Sequence, residues 1–226
     1  MLLPILVFVL VRINFVALAA GLVILSKWRV VAVRPRYWKA NILANSVDIM
    51  VALSFVLFMA NTSAAWWQIF WALAYSLWLT LLKPRSDAMN VSVQAMLAQL
   101  LGLSALYLKF GDAPLLSLVL ATWLITYISA RHFLTSFDEG WPALLANVWA
   151  YFAASLAFIL GHWLLFYGLV AQITLLLTTI GYGIAALYYL DAAEKLNTGL
   201  RRQLIGIMGA ILIIVIVLSD WSGRTV

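Results

Sequence analysis

PALLANVWAYFAASLAFILGHWLLFYGLVAQITLLLTTIGYGIAALYYL, residues 142–190, is an almost unbroken apolar run. About 20 helical residues are enough to cross the roughly 30 Å hydrocarbon core of a bilayer. The run is therefore too long for one membrane helix and predicts two. We place the division near Gly168.

The composition of the whole chain also indicates a membrane protein. Hydrophobic residues make up 66% of the 226 residues and charged residues only 10%, against about 45–50% and about 25% in soluble domains. A backbone inside a bilayer must bond to itself, which leaves helices or a closed barrel. Barrel strands alternate in polarity over about ten residues, and these runs do not alternate.

The prediction is therefore an all-α fold, in which residues 1–226 form a single integral membrane domain of about eight spanning helices. Arg12 interrupts the first apolar run, which also lacks the basic start of a signal peptide, so we keep this run as a membrane helix. The predicted helices are Leu2–Ser26, Ile42–Ala60, Trp66–Leu82, Met89–Leu108, Leu115–Ala130, two within Pro142–Leu190, and Leu204–Ser219.

The basic residues fall almost entirely in every second loop. Of the 14 Lys and Arg residues, 11 lie between predicted helices 1 and 2, 3 and 4, 5 and 6, or 7 and 8. Cytoplasmic loops of membrane proteins are enriched in Lys and Arg, so these four loops are predicted to be cytoplasmic. Both termini are then on the non-cytoplasmic side, and the expected location is a bacterial-type plasma (inner) membrane.

Several classes of function are excluded by the residues that are present. The basic loops account for the net charge of +6, so no nucleic acid is expected as a partner. The chain contains no cysteine for a disulfide or a thiolate metal site. His132 and His162 are predicted at opposite membrane faces, so they cannot share a haem or a metal ion. We predict no cofactor, no metal and no catalytic residue.

Polar side chains inside the predicted helices are the best candidates for function, because their burial in a bilayer is costly. Most lie in the cytoplasmic halves of helices 2, 4 and 6, and they predict a polar vestibule open to the cytoplasm. Bonding between helices is the alternative role for the amides. The vestibule residues are Asn41, Asn45, Asp48, Asn90, Gln94, Gln99 and Asn147.

Two charged residues lie inside the predicted membrane helices. Asp48 needs a partner, water or a proton at its depth in the membrane, and it is the candidate for proton or cation handling. Arg12 is predicted near the outer face, too far from Asp48 for a direct pair, where its long side chain can reach the headgroups.

An alternative site is a cluster of cytoplasmic carboxylates between predicted helices 5 and 6 and after helix 7. Such oxygen ligands suit Mg²⁺, which an enzyme acting on lipid headgroups would need. The candidate residues are His132, Asp138, Glu139, Asp191 and Glu194.

The sequence slightly favours a transporter or channel-like protein that uses the vestibule around Asp48. A non-catalytic membrane subunit or scaffold is the alternative, and an intramembrane lipid-modifying enzyme is third. The expected partners are the lipid bilayer and either other membrane proteins or further copies of the chain.

Overall fold

The computed structural model describes residues 2–137, 139–163, 165–167 and 170–219. These residues form nine α-helices and one two-stranded hairpin, Phe166–Tyr167 with Val170–Ala171. The predicted all-α fold is confirmed. The helices are α1 (Leu2–Arg12), α2 (Val16–Leu25), α3 (Trp38–Ala60), α4 (Ala65–Leu77), α5 (Ala88–Phe110), α6 (Leu115–Leu134), α7 (Pro142–Leu160), α8 (Gln172–Ala192) and α9 (Thr198–Val217).

The seven helices from α3 to α9, with the short turns that extend some of them, are long and apolar enough to cross a membrane. Large apolar side chains remain exposed along them, for example Leu120, Phe158 and Ile213. A soluble protein rarely exposes extended apolar patches of this kind. Lipid provides the surroundings that these side chains require.

The long apolar run does form two helices, as predicted. α7 ends at Leu160, a short turn covers Gly161–Trp163, and α8 begins at Gln172 after the β-hairpin. Gly168 itself lies outside the described residues. The carbonyl of Leu165 accepts the amide of Gln172 (2.8 Å), which ties the connection to the start of α8.

The first predicted helix, Leu2–Ser26, is broken into two. α1 has 11 residues and α2 has 10, so each is about 15–17 Å long, about half of a hydrocarbon core. Asn14 between them has a positive φ of 64°. The amides of Phe15 and Asn14 donate to the carbonyls of Leu10 (2.8 Å) and Val11 (3.0 Å), which is the Schellman pattern that ends a helix.

The chain divides into two compact units, residues 1–105 and 106–226, with the boundary inside α5. In the first unit α1 packs against α2, α3 and α4, and α2 packs against α3. Val7, Val23 and Val51 are fully buried there. α1 and α2 therefore form a helical hairpin against α3.

Contacts at the two ends of α2 show its direction. Arg12, just before α2, donates to the carbonyl of Ser63 (2.8 Å), which lies beyond the end of α3. Lys27, just after α2, reaches Asp48 within α3. α2 therefore runs antiparallel to α3, and the turn at Asn14 lies near the α3–α4 loop.

The second unit is built on the close pairing of α6 and α7. Ala146, Ala150, Ala153 and Ala157 are buried along α7, and such small side chains allow helix backbones to approach closely. Further along the chain, α8 packs against α9, where Gly183 leaves room for the side chain of Met208.

Replacing Asn14 tests the turn between α1 and α2. A β-branched side chain is strongly disfavoured at positive φ, whereas glycine is not. Asn14→Val is expected to lower the free energy of unfolding by about 1–2 kcal/mol, and Asn14→Gly to leave it within about 0.5 kcal/mol. The measurement is thermal or denaturant unfolding in detergent. Equal stability of the two variants would show that the chain does not turn at Asn14.

Candidate functional site

The most unusual group of charges in the described residues surrounds Asp48 in the middle of α3. Its side chain is only 9% exposed. One carboxylate oxygen, Oδ2, accepts hydrogen bonds from Lys27 and from Lys83, the latter at 2.6 Å. The other oxygen, Oδ1, accepts from the indole Nε1 of Trp78 at 2.9 Å. We call Lys27, Asp48, Trp78 and Lys83 the Asp48 cluster.

Each partner of Asp48 comes from the end of a neighbouring helix. Lys27 follows α2, and Lys83 follows a π-helical turn, Trp78–Leu82, that extends α4. The amide of Lys83 closes this turn on the carbonyl of Trp78 (2.9 Å). π turns are rare and occur frequently at functional sites. Here Trp78, the first residue of the turn, and Lys83, the residue that follows it, both contact Asp48.

The Asp48 cluster carries one more positive than negative charge when both lysines are protonated. Lys27 is nearly enclosed, with 11% of its side chain exposed, whereas Lys83 is 37% exposed. Burial lowers the pKa of Lys27, and the nearby charge of Lys83 lowers it further. Burial also opposes the charge on Lys83, but its hydrogen bonds to Asp48 and Lys27, together with the negative charge of Asp48, outweigh burial and raise the pKa of Lys83.

Two further polar side chains lie on the same face of α4, deeper in the bundle. Tyr75 and Gln68 precede Trp78 by three and ten residues, which places all three on one side of the helix. Tyr75 is fully buried, and its hydroxyl has no hydrogen-bond partner. Gln68 donates to the carbonyls of Met59 (3.2 Å) and Thr62 (2.8 Å), but its Oε1 is unpartnered. A row of polar groups thus extends from the Asp48 cluster toward the α3–α4 loop.

The amides predicted to line a vestibule bond mainly to backbone. Asn45 Nδ2 donates to the carbonyl of Asn41 (2.9 Å). Asn147, in the second unit, donates to the carbonyl of Ala143 (2.8 Å). Each of these hydrogen bonds lies within a single helix, so neither of them connects an amide to Asp48.

The amides of α5 have other partners. Asn90 Nδ2 donates to Asp87 Oδ1 (2.5 Å) at the start of the helix. Gln94 is buried, and its Nε2 donates to the carbonyls of Leu82 (2.6 Å) and Arg85 (2.8 Å). Gln99 is buried one turn further on. Gln94 therefore holds the segment that carries Lys83 in place. This contact corresponds to the alternative role given above for the amides, which is hydrogen bonding between helices.

Arg12 and the residues of the alternative carboxylate site differ in their exposure. Arg12 is exposed and bonds to Ser63, in the loop predicted to be on the outer face. His132 and Glu139 are half-buried, Asp191 and Glu194 are exposed, and Asp138 lies outside the described residues. Among the residues that the structure describes, no three His, Asp or Glu side chains are close enough to hold a metal ion.

Sequence reasoning did not identify Lys27, Trp78 and Lys83 as partners of Asp48. Both lysines follow apolar runs and are typical of residues that end membrane helices. The available signal is the need of a buried carboxylate for an opposite charge, combined with basic residues at the predicted cytoplasmic ends of the two neighbouring helices.

No protein-family model matches this chain, and comparison with curated proteins and with solved structures finds no match either. The function is therefore inferred from the chemistry of the Asp48 cluster.

Replacing Asp48 by Asn removes the one negative charge of the cluster and leaves two ammonium groups close together. Breaking a buried ion pair in this way costs about 3–5 kcal/mol, so Asp48→Asn is expected to lower the free energy of unfolding by that amount. Additional replacement of Lys27 by Met should recover part of the loss, because only Lys83 then remains charged. Unfolding in detergent or nanodiscs is the measurement.

The matched control for this prediction is Asp87→Asn. Asp87 is exposed and accepts hydrogen bonds from Asn90 near the start of α5. Because Asn caps a helix start as well as Asp does, this replacement should leave the free energy of unfolding nearly unchanged. Equal losses for the two variants would show that Asp48 is not held by the lysines.

Proposed function

We propose that this protein is a polytopic membrane protein that moves a small solute across the bilayer, with the Asp48 cluster as its working site. The observation that carries the proposal is a buried carboxylate shared by two lysines inside a group of membrane helices. Ionisable residues are rare within membrane segments and mark substrate, ion or proton pathways. The deeper polar groups of Tyr75 and Gln68 extend this path along α4.

We further propose a topology in which α3 to α9 cross the membrane and the α1–α2 hairpin enters it without crossing. This replaces the expectation of eight crossings with both termini outside. The side of every basic loop is unchanged, because the hairpin adds no crossing and α3 still runs outward from the cytoplasm. The last helix, α9, then ends outside. A bacterial-type plasma membrane fits this pattern of basic loops.

The absence of cysteine from the sequence makes the topology directly testable by single-cysteine labelling. With a membrane-impermeant maleimide on intact cells, Thr62→Cys and Ala113→Cys should label from outside. Ala32→Cys and Ala193→Cys should label only after the membrane is opened. Labelling of Ala32→Cys and Ala193→Cys from opposite sides would overturn the proposed topology.

Transport is tested with purified protein in liposomes. Swelling or flux is measured for a panel of small solutes that includes sodium, potassium, chloride, acetate, phosphate and neutral amino acids. The wild-type protein is expected to carry at least one of them at rates at least about tenfold above empty liposomes, because a working path lowers the barrier by more than about 1.4 kcal/mol. Asp48→Asn should abolish this flux and Asp87→Asn should retain it.

A scaffold role is the second candidate, and it is favoured by a specific feature of α9. No residue within the helix is buried, and Gly206 and Gly209 have open space where a side chain would be. Small residues of this kind let a second membrane helix approach closely. Absence of flux for every solute, together with a membrane partner or second copy that copurifies, would replace transport by this role.

Of the three functional hypotheses, that of a lipid-modifying enzyme has the least support. Its candidate residues do not form a metal-binding group among the described residues.

A further inference from the structure

We infer that the Asp48 cluster binds a small singly charged anion with carboxylate or phosphate-type oxygens, held between the ammonium groups of Lys83 and Lys27. This inference deepens the proposed transport function, on which it rests, by naming the class of solute. It also replaces the cation or proton handling that the sequence alone suggests for Asp48.

The first argument is the charge of the cluster. Lys27 and Lys83 both donate to the same oxygen of Asp48, so one carboxylate faces two ammonium groups. An uncompensated charge in a partly buried site is unfavourable. With both lysines protonated, one bound anion of single charge neutralises the group, whereas a bound cation would add to the excess of positive charge.

The second argument is the number of donors that remain. An ammonium group has three N–H donors. The contacts with Asp48 use one from each lysine, and the two lysine side chains also lie within hydrogen-bonding reach of each other. The indole N–H of Trp78 is already bonded to Asp48 Oδ1. The remaining lysine donors can serve two oxygen atoms of a carboxylate or phosphate group, and hydrogen bonds between charged groups are the strong ones.

Tyr75 supplies an independent observation. Its side chain is 0% exposed, and its hydroxyl has no partner, although buried hydroxyl groups nearly always have one. It lies one helical turn before Trp78, on the face of α4 that carries the contact with Asp48. An anion bound between the lysines, beside Asp48, would provide the acceptor that this hydroxyl lacks.

Exposure indicates the side from which the anion arrives. Lys83 is about three times as exposed as Lys27, at 37% against 11%. Lys83 is therefore the first contact and Lys27 the inner one. The same oxygen chemistry could be offered by a dissolved anion or by the phosphate of a lipid headgroup, and the experiment separates these two sources.

The test uses the full-length protein in nanodiscs of phosphatidylcholine, with sodium acetate replacing sodium chloride at constant ionic strength. Acetate should raise the thermal midpoint by about 5 °C at saturation, since a ligand that binds only the folded state stabilises it. Lys83→Gln and Lys27→Gln should abolish the rise, and Lys83→Arg should keep it. Tyr75→Phe should weaken the apparent affinity about tenfold, the loss expected for a hydrogen bond to a charged group.

Lys109→Gln is the matched control, because Lys109 is exposed at the other end of α5; it should retain the full response. A second set of nanodiscs contains phosphatidylglycerol and no acetate. A rise that depends on Lys83 in these discs supports the anion site and assigns it to a lipid phosphate. No rise in either set, or a full rise in Lys83→Gln, would overturn the inference.

The flux measurement separates this inference from the proposed function. Acetate binding that requires Lys83, without flux of any solute, would leave the anion site standing and reject transport. Flux of a cation or neutral solute, with no stabilisation by acetate or lipid phosphate, would leave transport standing and reject the anion site.

Discussion

A carboxylate inside a group of membrane helices must be neutralised, and the arrangement of the first unit follows from how Asp48 meets this requirement. Its charge is balanced by the residues that follow α2 and the extension of α4. Both segments must therefore end at the level of Asp48 on α3. The π turn at Trp78–Leu82 and the bonds from Gln94 to the carbonyls of Leu82 and Arg85 hold the second of these ends in place.

The same contacts determine how the helices of the first unit are aligned along their axes. Apolar packing among α1, α2, α3 and α4 holds these helices together, but it does not by itself determine how far each helix is displaced along its axis relative to its neighbours. The polar contacts of Lys27 and Arg12, one at each end of α2, do so. Because unsatisfied polar groups are costly in a membrane, these few contacts have a large influence on register.

Most of the fold could be predicted from the sequence because a bilayer imposes the length of its helices. The seven long helices fall where the apolar runs indicated, including the division of residues 142–190. The turn at Asn14 could not be predicted, since one αL residue breaks a run that otherwise has the length of a full span. The partners of Asp48 could not be predicted for a related reason, because the sequence gives the depth of a residue along its own helix only. The offset between neighbouring helices cannot be obtained from this depth. The amides of the predicted vestibule share a similar depth in the membrane, but their roles depend on their hydrogen bonds to nearby carbonyl groups.

The short hairpin of α1 and α2 has a consequence for how the protein is assembled. Neither helix is long enough to be held across a bilayer by itself, and their buried side chains need α3 and α4 as neighbours. The hairpin is therefore expected to take its final position only after the longer helices behind it have been inserted. This segment is synthesised before α3 and α4, yet its integration completes the first unit, so the order along the chain and the order of assembly are reversed here.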